Sequence, residues 1–293
     1  MRVSDSLMHE LATRGVTGNR EALFDKQRIA SSGLRVEKPS DDPVAAGLAR
    51  GTKSRERRSQ AIEKISGEAI DRLQAVDDTL GGIGDILSRA RELAVQGAND
   101  HVSLNDRAAM ATEVSALRAE LLNLSNTKIE GEYVFSGLSV DRTPFDPTGA
   151  YLGETQLKEI EVGPGLRLPT QVSAAAIFGV TGGTNPFTAL DDLEAALNAN
   201  DGDAIHASIG GLATSVDQVA NGRANAGAHQ QALQQAQAAA ARVRDEAIRR
   251  RATLTEADPV EAFTDLVKAE SALQQALAIA ARMPPPSLVE MGG

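Results

Sequence analysis

Ile62, Ile65, Ala69, Leu73, Val76, Leu80, Ile83, Leu87, Ala90 and Ala94 recur at steps of three or four residues, with polar positions between them. This a/d spacing is that of a helix burying one narrow stripe. It predicts a helix over about 60–98, which would run ~57 Å at 1.5 Å per residue. Gly81, Gly82 and Gly84 sit in its middle, where a local bend is expected. After the break "GANDHVSLND", Met110, Val114, Leu117, Leu121 and Leu124 carry the same seam on a second helix that folds back as a hairpin. Beyond Pro186, Leu193 and Leu197 precede the turn "NANDGD". Ile205, Ile209, Leu212, Val216, Val219, Ala226, Leu233 and Ala240 then form one further track, a partner for the hairpin.

The ends and the middle read differently. Val3, Leu7 and Leu11 form a short apolar stripe near the N-terminus, and Phe263, Leu266, Leu273, Leu277 and Ala280 form another near the C-terminus. Short isolated helices are marginal in water, so both stripes are candidate assembly faces ordered by something else. In the middle, "QLKEIEVGPGLRLPTQV" predicts two short strands across Gly163-Pro164-Gly165, and "EYVFSG" predicts a β-prone edge at Tyr133 to Phe135. Prolines support the division: none lies between Pro43 and Pro144 or between Pro186 and Pro259, as long helices require. The expected fold is mainly α, a long antiparallel helical rod with a small β-rich insert, its discontinuous N- and C-terminal halves packing together. Terminal helices would occupy 1–35 and 260–293, the rod 43–132 and 188–258, and the insert 133–187.

Between the first two helices lies "VEKPSDDPVAAG". Lys38 and Asp42 each precede a proline and are pushed toward extended backbone angles. Asp42 then suits an N-cap, Pro43 suits the first helical position, and Asp41 adds negative charge near the helix N-terminus. Lys38, Pro39, Ser40, Asp41, Asp42 and Pro43 are therefore read as a rigid hinge, with one helix ending near Ser32-Gly33 and another starting at Pro43. A metal or acid–base site is disfavoured, because no histidine or third carboxylate accompanies the aspartates locally.

Composition sharpens this picture. Six of the 8 aromatics fall between Tyr133 and Phe187, so the flanks pack through Ala, Leu, Ile and Val. A net charge of −10 argues against a phosphate-tracking nucleic-acid binder. The basic clusters at Arg50–Arg58 and Arg242–Arg251 are interleaved with or close to acids, and read as solvated or salt-bridged helix faces. Without cysteine there is no disulfide or thiolate site, and the four histidines (His9, His101, His206, His229) lack ligand spacing. "GGIGDIL" lacks the third glycine of a dinucleotide fingerprint, and "NANDGDAIHAS" puts its glycine at the wrong offset for a calcium loop. No cofactor is expected, no enzyme is indicated, and neither a membrane span nor a cleaved secretory signal is legible.

"MRVSDSLM" and "QRIASSGLRVEKPSDDPVAAGLARG" resemble the N-terminal segment of the flagellin superfamily, with Lys38 to Pro43 matching its motif residue by residue. "GEYVFSG", "TPFDPTGAYLGE" and "EVGPGLRLP" are similar to the start of that family's central insert, and "DPVEAFTDLVKAESALQQALAIAARM" to its C-terminal helix. Flagellins usually carry alanine after the paired aspartates, so Pro43 favours the family's junction-forming members. The tail "PPPSLVEMGG" departs from the apolar tail common in the family. The resemblance implies a structural subunit exported without a cleaved signal through the flagellar type III apparatus. It further implies a ring between another hook-associated protein and flagellin, with an export chaperone on the C-terminal helix. A small filament-forming flagellin and a coiled-coil cytoplasmic adaptor remain the alternatives.

Overall fold

The computed structural model describes residues 5–282, with side chains from Leu7 onward. In chain order it contains α1 (Asp5–Ser32), α2 (Pro43–Gly97), α3 (Leu104–Ser125), β1 (Lys128–Ile129), β2 (Glu132–Tyr133), β3 (Glu159–Gly163), β4 (Leu166–Pro169), α4 (Ala174–Ile177), α5 (Pro186–Ala199), α6 (Gly202–Thr255) and α7 (Pro259–Ala281). Two compact units result: residues up to 58 together with those from 243 on, and residues 59–242. Both boundaries fall inside helices, α2 and α6, so each unit is described by itself.

The unit formed by 59–242 is held by the predicted stripe. Ser66, Leu73, Leu80, Leu87 and Ala94 of α2 are all fully buried and lie seven residues apart. On α6, Ile205, Leu212, Val219, Ala226, Leu233 and Ala240 are likewise buried at intervals of seven. Such a strict repeat keeps one seam against a partner helix. Around the seam, Arg223 of α6 clasps Asp77 of α2 with two hydrogen bonds (2.9 and 3.1 Å), and Arg89 of α2 reaches Glu113 of α3 at 2.8 Å. At the turns, the Arg107 guanidinium is buried. It donates to the carbonyls of Gly97 and Asn99 and to Asn200 Oδ1, binding the α2–α3 turn to the α5–α6 turn.

α2 is helical throughout, Gly81–Gly84 included. Gly82 serves proximity: a Cβ there would meet Leu124 Cδ1 at 3.1 Å, so the missing side chain lets α3 approach. The strand expected at Tyr133 to Phe135 stops at Tyr133, since Val134 and Phe135 turn inward as buried core.

In the middle segment, strand structure is confined to two antiparallel hairpins, β1–β2 and β3–β4. The second turns at Pro164-Gly165, with Gly163 opposite Leu166. What fills the module is aromatic: Phe135, Phe145, Phe178 and Phe187 are each at most 1% exposed. Phe145 and Phe178 lie 4.4 Å apart by ring centroid, and Phe135 meets Phe178 edge-on at 5.8 Å. Tilted and edge contacts of this kind add to the burial of the rings themselves. Gln218 of α6 secures the exit, donating to the Ile177 and Thr184 carbonyls and accepting from the Thr184 N–H. Arg72 of α2 secures the entrance through Glu132 at 2.6 Å.

Phe178→Ala should therefore cost about 3–5 kcal/mol in denaturant unfolding, as expected for a truncated buried ring. Leu152→Ala, at a residue 55% exposed in the same module, should stay within about 0.5 kcal/mol.

Candidate functional site: paired corners and terminal helices

The corner after α1 is built from local rules. α1 closes at Gly33, whose N–H donates to Ile29 O and whose φ of +70° is a left-handed angle that glycine adopts without strain. Asp42 Oδ1 accepts from the Ala45 N–H at 2.9 Å, the N-cap bond of α2, and Pro43 occupies the first helical position. Asp41 does something different from the expected charge at the helix end. Its Oδ2 turns back to accept from the N–H groups of Lys38 (2.8 Å) and Glu37 (3.0 Å), closing the loop on itself. Arg28 reaches across from α1 to Glu37 at 2.8 Å and to Asp41 at 3.6 Å. Lys38 and Ser40 are exposed at the tip.

A second corner, between α6 and α7, repeats the device. Asp258 caps α7 by accepting from Val260 and Glu261, and Pro259 takes the first helical position. The two corners then pair. Arg35 and Val36 N–H groups both donate to Thr255 O (2.8 and 3.1 Å), and Ala257 N–H donates to Gly33 O at 2.9 Å. Leu34 and Glu256 form an antiparallel bridge. Arg35 adds its guanidinium, which donates to Leu254 O at 2.9 Å and lies 3.4 Å from Asp42. These partners are 219 positions apart in sequence, which is why spacing alone does not predict them. The available signal was the repeated Asp-Pro-Val at 42–44 and 258–260, with alanine two residues after each valine.

From the corners, α1 and α7 pack against each other. Their seam is the half-buried stripe Ala12, Val16, Leu23 on α1 and Leu266, Ala269, Leu273 on α7, with Lys26 paired to Asp265 at 2.8 Å. The candidate assembly residues thus fall into two sets. Leu266 and Leu273 face the seam, whereas Leu7, Leu11, Phe263 and Leu277 are 45–58% exposed on the outside, joined there by Phe24 and Val267. Val3 lies outside the described residues, as does the tail from Met283.

Electrostatics follow the geometry. Backbone N–H groups of Lys38 and Glu37, then Arg28, hold the Asp41 carboxyl below the usual carboxylate range. The Ala45 N–H, then Arg35, does the same for Asp42, and Lys26 for Asp265. Among the described residues no group of three His, Asp or Glu is placed to hold a metal ion, and no helix is long and apolar enough to cross a membrane.

Residues 3–139 match the family model of the bacterial flagellin N-terminal helical region. That match covers just under half of the chain. The chain is similar to flagellar hook-associated protein 3 of Escherichia coli (28% identity over 184 residues, 62% of this chain and 56% of the relative). The Salmonella typhimurium protein of the same name gives 31% over 155 residues, 52% and 49% of the two chains. The chain thus spans about half the length of these curated relatives. The crystal structure of flagellar hook associated protein-3 from Legionella pneumophila shares the fold, with a TM-score of 0.61 at 15% identity over 68% of this chain and 96% of that one.

Two outcomes are expected. Asp258→Ala should cost about 1 kcal/mol of unit stability, while Asp258→Asn, which keeps an accepting oxygen, should be close to neutral in thermal unfolding. Because the folded Asp41 and Asp42 carboxyls are depressed, their stabilisation is present above the unfolded value of about 3.9 and is lost as pH falls through the lower folded value. An acid titration should therefore show wild type losing melting temperature below about pH 4 more steeply than Asp41→Asn/Asp42→Asn.

Proposed function

We propose that this chain is a non-catalytic structural subunit of the bacterial flagellum that joins hook-associated protein to the flagellin filament. The observation that carries the reading is the alignment to hook-associated protein 3 in two species, together with Pro43 in the corner motif. In this reading the chain leaves the cell through the flagellar type III apparatus without a cleaved signal. It assembles as a ring and is met before export by a chaperone on its C-terminal helix.

The physical support is the exposed apolar surface on the terminal helices. Leu7, Leu11, Phe24, Phe263, Val267 and Leu277 are large side chains left in water, and apolar side chains exposed in such number on paired helices suit binding to a neighbour. The terminal segments 1–35 and 260–293 act as assembly arms. Segments 43–132 and 188–258 act as the rod, 133–187 as the inserted domain, and Lys38 to Pro43 as the hinge. A small flagellin that forms the filament itself is the second reading, favoured by the match of residues 3–139 to the flagellin model.

Fractionation separates these readings. The protein should be recovered in sheared flagella at a few copies per filament, and purified protein should not grow long filaments seen by electron microscopy. Recovery in the cytosol alone would contradict both flagellar readings, and long filaments from the purified chain would select the second. Removing residues 1–30 and 265–293 should leave a helical, soluble core that no longer enters flagella.

A further inference from the structure

Of the six phenylalanines, the four in the inserted module are buried, and the two on the terminal helices, Phe24 and Phe263, are 59% and 58% exposed. A pocket of about the right kind exists on the same unit. It lies at the first corner, has a volume of 240 Å³, and is floored by Leu34, Val36, Pro39, Ala46 and Ala49. An apolar cavity of ~150 Å³ already holds a benzene ring. The rim carries Arg50, Lys53 and Arg251. Its acids are spoken for: Glu37 pairs with Arg28 at 2.8 Å, and Arg251 pairs with Glu56 at 3.3 Å. Arg50 and Lys53 are exposed and make no ion pair among the described residues.

We propose that this pocket receives Phe263 of a second copy of the chain, with the acidic flank of α7 meeting the Arg50–Lys53 rim. The inference rests on the self-assembling reading above and names its contact. The flanking residues decide between the two exposed rings. Phe24 has charges of both signs a turn away, Arg20, Glu21 and an Arg28 already paired with Glu37, so no apolar surface flanks its ring there. Phe263 has exposed Val260 and Val267 on its own face, with Glu261 before it and Glu270 two turns on, while the nearby cation Lys268 is paired with Asp265 at 3.5 Å. An apolar knob with acids around it suits an apolar floor with cations around it. Knob and pocket are different surfaces of one chain, so the contact is head-to-tail and builds a ring or a helix rather than a closed pair.

The chain has no cysteine, which makes cross-linking clean. Full-length Gly47→Cys, beside the pocket, and Val267→Cys, one turn from the knob, would be mixed at high concentration with a short bismaleimide. A Cβ at Gly47 meets nothing within 4 Å, so that variant should fold. The expected result is a linked heterodimer whose yield falls about tenfold with Phe263→Ala, falls with Arg50→Glu/Lys53→Glu, and is unchanged with Phe24→Ala. No linked pair, or a yield that survives Phe263→Ala, overturns the proposal. Fractionation into flagella tests the functional reading separately: protein found in flagella without this link leaves that reading standing and removes this contact.

Discussion

Five backbone groups carry the terminal unit: the Thr255 carbonyl, shared by the amides of Arg35 and Val36, and the Gly33 carbonyl, taken by the amide of Ala257. A turn must satisfy its own polar groups or lend them to another. Here two turns at opposite ends of the sequence lend them to each other. Because each turn is also the cap of a helix, pairing the turns fixes where α2 and α7 begin and where α1 and α6 end. The terminal helices α1 and α7 are then delivered side by side, which neither could achieve through its own modest apolar stripe.

The rest of the unit's chemistry is consistent with that constraint. Asp41 closes the first loop and Asp42 caps the following helix, so the paired acids are divided between two backbone jobs rather than facing a common ligand. Arg35 spans the corners, and Arg28 holds the loop against α1. The seam between α1 and α7 buries small and aliphatic residues only partly, leaving the larger side chains outward. Phe263 and Leu277 stay in water rather than in that seam, and large exposed apolar side chains are what an interaction face requires.

Local physics made much of this legible from sequence. Steps of three and four residues mark helices because only one stripe is buried, and Leu73, Leu80 and Leu87 are that stripe. Pro164-Gly165 marks a hairpin because few residues fit a tight turn. What escaped reading depends on distant partners. Gly82 looks like a helix weakness until Leu124 is placed beside it, and Val134 and Phe135 look like strand until the phenylalanine cluster draws them inward. The Asp41 carboxylate satisfies loop amides rather than the helix end, a choice set by backbone angles that spacing does not encode. The second corner carries the same Asp-Pro-Val signal as the first, but its pairing with the first required both in space.

The two corners open and close as one. Native-state hydrogen exchange at Arg35, Val36 and Ala257 measures this directly, since each amide is bonded only across the corner pair. All three amides should share one opening free energy, and Arg35 and Val36 should lose protection when the Thr255–Asp258 turn is disrupted. Exchange at Arg35 and Val36 that is independent of that turn would contradict it.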